Sequence, residues 1–313
     1  MALLIGEKET RKLIDMPGAL AVVEKIFHDR AAGKVRSLAR RRLRSSQRQL
    51  NVMAAWQADW DLICLRAYAG EANTITLYNG RTGEIRAVIH MGYLSSLRTG
   101  AASGVTVKYL APPRVEVLGL IGPGWQATFQ VEAIVRSCPV RQVLVYGRNP
   151  RKRKEFIRQM SQPLSVEWRE SLSLQEIEAE SDILVLATDS TSPVIDGKEV
   201  KDEVLIITMG ANQPVKHEVS NELIGKMDLV VTDDLPTAQT DSGDLIQACE
   251  AGILLWEDVV SLEKIVADGA PQPRPKKILF QSNGIADEDL AVGRYVLEQV
   301  RRKKVRVRRV SEI

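Results

Sequence analysis

The chain is poor in the residues that usually advertise covalent or metal chemistry: three cysteines and three histidines in 313 positions. Cys64, Cys138 and Cys249 lie far apart in sequence, so no disulfide framework is expected, and a reduced, cytoplasmic setting fits. His28, His90 and His217 sit on separate segments without ligand spacing, which argues against a metal site. No apolar run approaches membrane-spanning length. The opening residues, MALLIGEKETRKLIDM, turn charged after five positions, unlike a secretory signal. Neither charge sign dominates, since 43 Lys and Arg face 40 Asp and Glu, and a net +3 does not call for nucleic acid. Repeats and low-complexity segments are missing as well. One stretch is strongly basic, RRKKVRVRRV near the C-terminus. It lacks interleaved aromatics and reads as a solvated terminus or a charged edge strand rather than a nucleic-acid arm.

What is present is apolar content, 44% of residues, enough for two domains with separate cores. The middle of the chain alternates short Val/Ile/Leu-rich runs with helix-length amphipathic stretches. The expected strands are 115–122, 142–149, 181–188, 204–211, 227–234 and one in 276–284. Continuous apolar runs of this kind are how strands buried on both faces of a parallel sheet read. The fold class is therefore α/β, with a doubly wound sheet carrying helices on both faces. The first hundred residues differ. They alternate in polarity, and YNGRTGEI carries Asn-Gly and Thr-Gly hairpin signals. An antiparallel sheet is expected there, after a helix around 17–32. A small-residue helix, 95–111, joins the two regions, and DEDLAVGRYVLEQVRRKK forms a late helix that could return to the first domain.

One turn carries chemistry. Gly122-Pro-Gly124-Trp125-Gln126-Ala127 follows an apolar strand and opens a helix, matching G-x-G-x-x-G/A. The first glycine allows the tight turn, the second lets a pyrophosphate approach the backbone, and the third position is small so that helix and strand pack closely. The helix N-terminus offers N–H groups and the positive end of its dipole to phosphates. This is a Rossmann-type dinucleotide site. The ribose is read at the end of the next strand, where YGRNP places Arg148 and Asn149 and no carboxylate. An arginine there suits a 2′-phosphate, which favours NADP(H), with NAD(H) as the alternative. The later strand ends, Ala187-Thr188, Met209-Gly210 and Asn283-Gly284, fall at the carboxyl edge where ligands of such sheets bind, and are expected to complete the cofactor site.

Six ordered motifs, LRTGAASGVTVKYLA, VLGLIGPGWQATFQ, ATDSTSPVI, MGANQPVKHEV, SGDLIQACEAGIL and LFQSNGIADEDLA, resemble the ornithine cyclodeaminase/mu-crystallin family. The resemblance covers most of the chain, from about Arg42 to the C-terminal helix. It implies a Rossmann domain, 114–285, and an α+β substrate and dimerisation domain, 1–113 completed by 286–313. It further implies a homodimer and hydride transfer between a nicotinamide and the α-carbon of a small amino or imino acid. Arg98 in LRTGA is the implied grip on the substrate carboxylate. A second arginine is implied from the first hairpin; Arg42 is preferred, with Arg40 and Arg44 open.

Two positions depart from the family pattern. CLRAY places Arg66 where many members have a catalytic lysine, and GANQPVKHE places Asn212 where several have an aspartate. Arginine stays charged and an amide does not titrate, whereas cyclodeamination needs repeated proton transfers beside the substrate amine. The expectation is therefore an NAD(P)H-dependent imine or ketimine reductase or amino acid dehydrogenase, with Arg66 holding a second carboxylate and Asn212 orienting an amine. The alternatives are an ornithine cyclodeaminase with bound NAD and a mu-crystallin-like ligand-binding protein. His217 is a reserve acid/base, though an exposed loop histidine is the plainer reading. Asp241, Asp244 and Asp287 read as helix-start residues.

Overall fold

The computed structural model describes residues 1–311; positions 312 and 313, the end of the expected 286–313 segment, lie outside the described residues. The chain divides into two compact units, Met1–Ala102 with the chain from Gly284 onward, and Ser103–Asn283.

The first unit begins with β1 (Ala2–Ile5), α1 (Glu7–Leu13) and α2 (Met16–Ala31). Asp15 caps α2, its carboxylate accepting from Gly18 N at 3.0 Å, and Pro17 sits in the first turn, where its missing N–H costs nothing. Five strands follow: β2 (Val35–Arg44), β3 (Gln49–Gln57), β4 (Leu62–Ala69), β5 (Ala72–Asn79) and β6 (Ile85–His90). The turn between β5 and β6 is tied by Asn79, whose Oδ1 accepts from Arg81 N and Thr82 N. Helix α3 (Gly92–Leu110) then leads into the second unit. The expected boundary at 113/114 lies beyond this helix, whereas the units part inside it. A helix reads as one element in sequence, so periodicity gives no sign that its ends pack in different units.

The second unit contains β7 (Val117–Ile121), α4 (Trp125–Ser137), β8 (Gln142–Tyr146), α5 (Pro150–Met160), β9 (Glu167–Glu170), α6 (Leu174–Glu180) and β10 (Ile183–Leu186). It continues through β11 (Thr191–Ile195), β12 (Val204–Thr208), β13 (His217–Val219), α7 (Asn221–Ile224), β14 (Leu229–Thr232), α8 (Leu235–Asp241) and α9 (Gly243–Glu250). It ends with β15 (Val259–Ser261), α10 (Leu262–Asp268) and β16 (Lys277–Gln281). The chain returns to the first unit as α11 (Ala286–Arg302) and β17 (Arg308–Val310). The basic C-terminal stretch thus ends as an edge strand, antiparallel to β1.

The two sheets bury residues differently. Strands β7, β10, β12 and β14 are buried at every position, as parallel strands covered on both faces must be. Each fully buried Leu or Ile there contributes roughly 1.5–3 kcal/mol. The order is β15-β14-β16-β12-β10-β7-β8-β9, and every adjacent pair is parallel. The chain leaves β7 toward β8 on one side and reaches β10 on the other, so β7 is the topological switch point. The first-unit sheet runs β17-β1-β6-β5-β4-β3-β2. Its β3 and β4 alternate buried and half-buried residues, the period-2 signature of a sheet with one covered face. Cross-strand pairing puts Arg42 opposite Asn51, Asn51 opposite Tyr68, and Met53 opposite Arg66, so Arg42 and Arg66 share one face.

Candidate active site

In the second unit the glycine turn has the predicted shape. Gly122 has φ +94°, and a Cβ built on it would sit 2.5 Å from the Ala187 carbonyl oxygen. Conformation and space both demand glycine. At Gly124 the reverse holds: among the described residues, no atom lies within 4 Å of an added Cβ, so the main chain there is bare. Gly124 is the N-cap of α4 and gives no side-chain cap bond. Ala127 is fully buried, as close helix–strand packing requires. Trp125 is 55% exposed, its ring edge-on to Phe129 at 5.2 Å, and Gln126 is half-buried. After β8, Arg148 is exposed. Asn149 spends its side chain on capping α5, accepting from Arg151 N and Lys152 N at 3.0 and 3.2 Å.

Beyond the switch point, the residues after β10 and β12 are tied by a carboxylate. Glu218, wholly buried, accepts through Oε1 from Thr188 N (2.6 Å) and Thr188 Oγ1 (2.7 Å), and through Oε2 from Met209 N (3.0 Å) and Gly210 N (2.7 Å). Burial raises its pKa to about 7, with the four donors pulling the other way. Asp244 accepts from Glu218 N at 3.0 Å, and burial followed by the nearby Glu218 charge raises its pKa to about 8. His217 is a half-buried residue of β13, with Nδ1 3.5 Å from Asp244, and burial lowers its pKa. The exposed-loop reading of His217 fails because its segment pairs with β11. The helix-start reading of Asp241 also fails: it ends α8, and Ser242 caps α9 by accepting from Leu245 N. Asp244 lies in the first turn of α9 but its carboxylate turns to Glu218. Asn283 donates its N–H to Asp233 and its side-chain Nδ2 to Thr232 Oγ1. Asn212 is half-buried in the segment after β12.

The first unit gathers guanidiniums and carboxylates. Arg98, on α3, donates from Nε to Asp289 Oδ1 and from Nη1 to Glu288 Oε2, both at 2.8 Å. Arg66 donates from Nη1 to the same Asp289 oxygen at 2.7 Å and from Nη2 to Ser95 Oγ at 3.1 Å, and lies over the Tyr68 ring. Burial pushes Arg98 toward a lower pKa, but Asp289 and Glu288 outweigh it and hold the group above its ordinary value. Arg66 is left lower than usual, because burial dominates and Arg98 repels it while it shares one carboxylate oxygen. Asp289 Oδ2 and Arg66 Nε are buried without a hydrogen-bond partner among the described residues. Gly284, expected beside the nicotinamide, belongs to this unit. It has φ +73°, and an added Cβ would lie 2.3 Å from Arg98 Nη1. Its carbonyl accepts from Arg40 Nη2 at 2.8 Å. Of the Arg40–Arg44 cluster, Arg40 is thus the buried member brought to Arg98's neighbour, while Arg42 is half-buried and Arg44 exposed. Asp287, in the first turn of α11, pairs with Arg30.

Glu288 and Asp289 are the functional candidates that sequence reasoning missed. They are the carboxylates that hold Arg98 and Arg66 in place. The signal was visible, three acidic residues opening α11, but first-turn acids are expected at any helix N-terminus.

A doubly wound parallel sheet with this turn at its switch point defines a dinucleotide-binding protein, and its companion unit presents buried arginines suited to a carboxylate. The chain belongs to the ornithine cyclodeaminase/mu-crystallin family, which it matches over residues 3–304. It is 31% identical to the alanine dehydrogenase of Archaeoglobus fulgidus over 97% of this chain and 96% of that one. It is 27% identical to the iminosuccinate reductase of Paracoccus denitrificans, covering 97% and 98%. Among solved structures, the Δ1-pyrroline-2-carboxylate reductase of Thermococcus litoralis, in complex with NADH and L-proline, superposes with a TM-score of 0.92 at 27% identity, covering 98% of this chain and all of that one. Among the described residues, no helix is long and apolar enough to cross a membrane.

Proposed function

We propose that the protein is an NAD(P)H-dependent oxidoreductase that reduces the C=N bond of a small imino acid or cyclic imine, or the equivalent keto acid and amine. The observation that carries this is the open main chain at Gly124 in one unit together with the buried, carboxylate-braced guanidinium of Arg98 in the other. The names of the relatives, two imine reductases and an amino acid dehydrogenase, support the same reading.

The residues fit a dinucleotide. The turn Gly122–Ala127 holds the diphosphate, Arg148 takes a 2′-phosphate, and Ala187, Thr188, Met209, Gly210 and Asn283 line the nicotinamide side. The cofactor supplies a hydride. Arg98 binds the substrate carboxylate through its remaining N–H groups, with Arg40 or Arg42 as the second guanidinium. Glu288 and Asp289 hold Arg98 rigid, so little rotamer freedom is lost on binding. Asp289 Oδ2, buried without a partner among the described residues, accepts from the protonated substrate nitrogen. Holding the proton there makes the α-carbon electrophilic and leaves a neutral amine after hydride addition. NADP(H) is favoured over NAD(H), because no carboxylate stands in Tyr146–Pro150 to meet a free 2′-hydroxyl. A homodimer is proposed on family grounds and on exposed Leu38 and Leu43 of β2, 69% and 70% accessible.

The test is incubation with NADPH or NADH and Δ1-pyrroline-2-carboxylate, Δ1-piperideine-2-carboxylate, iminosuccinate, and pyruvate with ammonia. Stoichiometric oxidation of the cofactor, with the matching amino acid formed, is expected. Ammonia release from ornithine without net cofactor change would instead make the protein a cyclodeaminase. Tight cofactor binding with no turnover of any of these would favour a ligand-binding role.

A further inference from the structure

Glu218 is a charged side chain in a place where a purely structural core holds apolar groups. It is wholly buried in the second unit, and burying a carboxylate is costly unless it is fully hydrogen-bonded. Here it is: each oxygen accepts from two donors. A proton on either oxygen would displace one of them, so all four donors are met together only while the carboxylate is ionised. All four donors come from two short segments, Thr188 after β10 and Met209-Gly210 after β12. These strands are neighbours, and both lie on the side of β7 away from β8. In a doubly wound sheet the dinucleotide straddles the switch strand. With the adenine half read near β8 and Arg148, the β10 and β12 ends fall to the nicotinamide half. Glu218 itself is fixed from behind, since Asp244 on α9 accepts its backbone N–H.

We propose that Glu218 is the positioning residue for the nicotinamide half of the cofactor: one buried carboxylate fastens the two strand-end segments that flank it. The proposal rests on the dinucleotide reading above. It separates the site into a rigid adenine half, built on the glycine turn, and a nicotinamide half whose shape depends on Glu218. In Glu218→Gln an amide N–H₂ faces N–H donors, so two of the four bonds are lost and the segments part.

The test is titration calorimetry of wild type, Glu218→Gln and Glu218→Asp with NADPH, NADH and the matching ADP-ribose fragments that lack nicotinamide, with melting temperatures recorded alongside. Glu218→Gln is expected to weaken the whole dinucleotide by about tenfold or more, the value of a charged hydrogen bond, and the fragments by less than about threefold. Bound NAD(P)H should also lose the shift in its fluorescence emission seen with wild type. Glu218→Asp should recover part of the affinity. Should Glu218→Gln not fold, Thr188→Val removes the Oγ1 donor alone and should show the same asymmetry at smaller size. Equal loss for dinucleotide and fragment, or no loss for either, would overturn the proposal while leaving the dinucleotide reading intact. Wild type that binds neither would overturn both.

Discussion

On the proposed function the two units bind by opposite means. The second offers main chain: a turn where side chains are excluded at Gly122 and absent at Gly124, and strand ends held by a carboxylate that keeps to itself. The first offers side chains: Arg66 and Arg98 braced by Glu288 and Asp289 in a buried network. The difference follows from the ligands each is suited to. A diphosphate is large and doubly charged, and several backbone amides meet it best where no Cβ intervenes. A small acid offers one carboxylate, so its grip must be a fork already in place, and a buried fork needs counter-charges to keep it ionised and still. Removing a piece should therefore hurt the two binding elements differently: stability suffers at the arginine network of the first unit, ligand affinity alone at the glycine turn of the second.

The largest expected effect breaks the first unit. Arg98→Met leaves Glu288 and Asp289 buried beside a neutral side chain, a loss of about 3–5 kcal/mol of stability for a broken buried pair. Substrate kcat/KM should fall by roughly a thousandfold as the carboxylate grip goes. Urea denaturation and steady-state kinetics read the two separately. If stability falls but kcat/KM does not, Arg98 is architecture and the grip lies elsewhere. The counterpart in the second unit is Gly124→Val. With no described atom within 4 Å of the new Cβ and φ at −102°, the fold should keep its melting temperature. NAD(P)H affinity should fall about a hundredfold, because the branched side chain occupies the diphosphate's approach. A melting temperature that drops with the affinity would erase the contrast between the units.

The same contrast explains what could be read from sequence. The glycine turn was legible because it rests on steric necessity, and so were the largely buried strands β7, β8, β10, β12, β14 and β16, whose apolar runs suit a covered parallel sheet. Their ends were placed one to three residues too wide, since the Gly, Asn, Thr and Asp that follow them do not join the ladder. Short or polar strands such as β9, EWRE, and β13, HEV, carry no apolar signature. Arg98 was visible through its motif. Glu218 was not: in QPVKHEVS a buried glutamate looks like any surface residue, because its donors, three backbone amides and the Thr188 hydroxyl, lie 8 to 30 residues away. The burial of Arg40 was not legible because the pairing of β2 with β3 shifts register between Leu38 and Arg41, and irregularities of that kind leave no mark in alternation.

A mid-sized effect sharpens the cofactor assignment. Arg148→Glu places a carboxylate at the end of β8, where it repels a 2′-phosphate and can accept from a 2′-hydroxyl. NADPH affinity should fall by about tenfold and NADH affinity rise severalfold, the scale of one charged hydrogen bond, with stability unchanged because the residue is exposed. Calorimetry with both cofactors decides it; an equal change for both would remove Arg148 from the site.

The smallest effect concerns pH and again sets the units apart. In the second unit Glu218 and Asp244 are raised to about 7 and about 8, chiefly by burial, from unfolded values near 4. An acid that holds its proton more tightly when folded stabilises the fold at low pH. That contribution is lost as pH climbs from the unfolded pKa through the folded one. Between about pH 5 and pH 8 this pair therefore makes the fold less stable as pH rises, each tenfold gain in proton affinity on folding being worth on the order of 1 kcal/mol. Asp244→Asn removes one titrating group. Its melting temperature should be flatter across this window than the wild type's. Arg98 and Arg66 in the first unit do not titrate there, so Arg66→Met should shift the whole curve down without changing its slope. A wild-type curve that rises toward pH 8, or an Asp244→Asn curve just as steep, would show that the buried pair stays ionised throughout and that its four donors outweigh its burial.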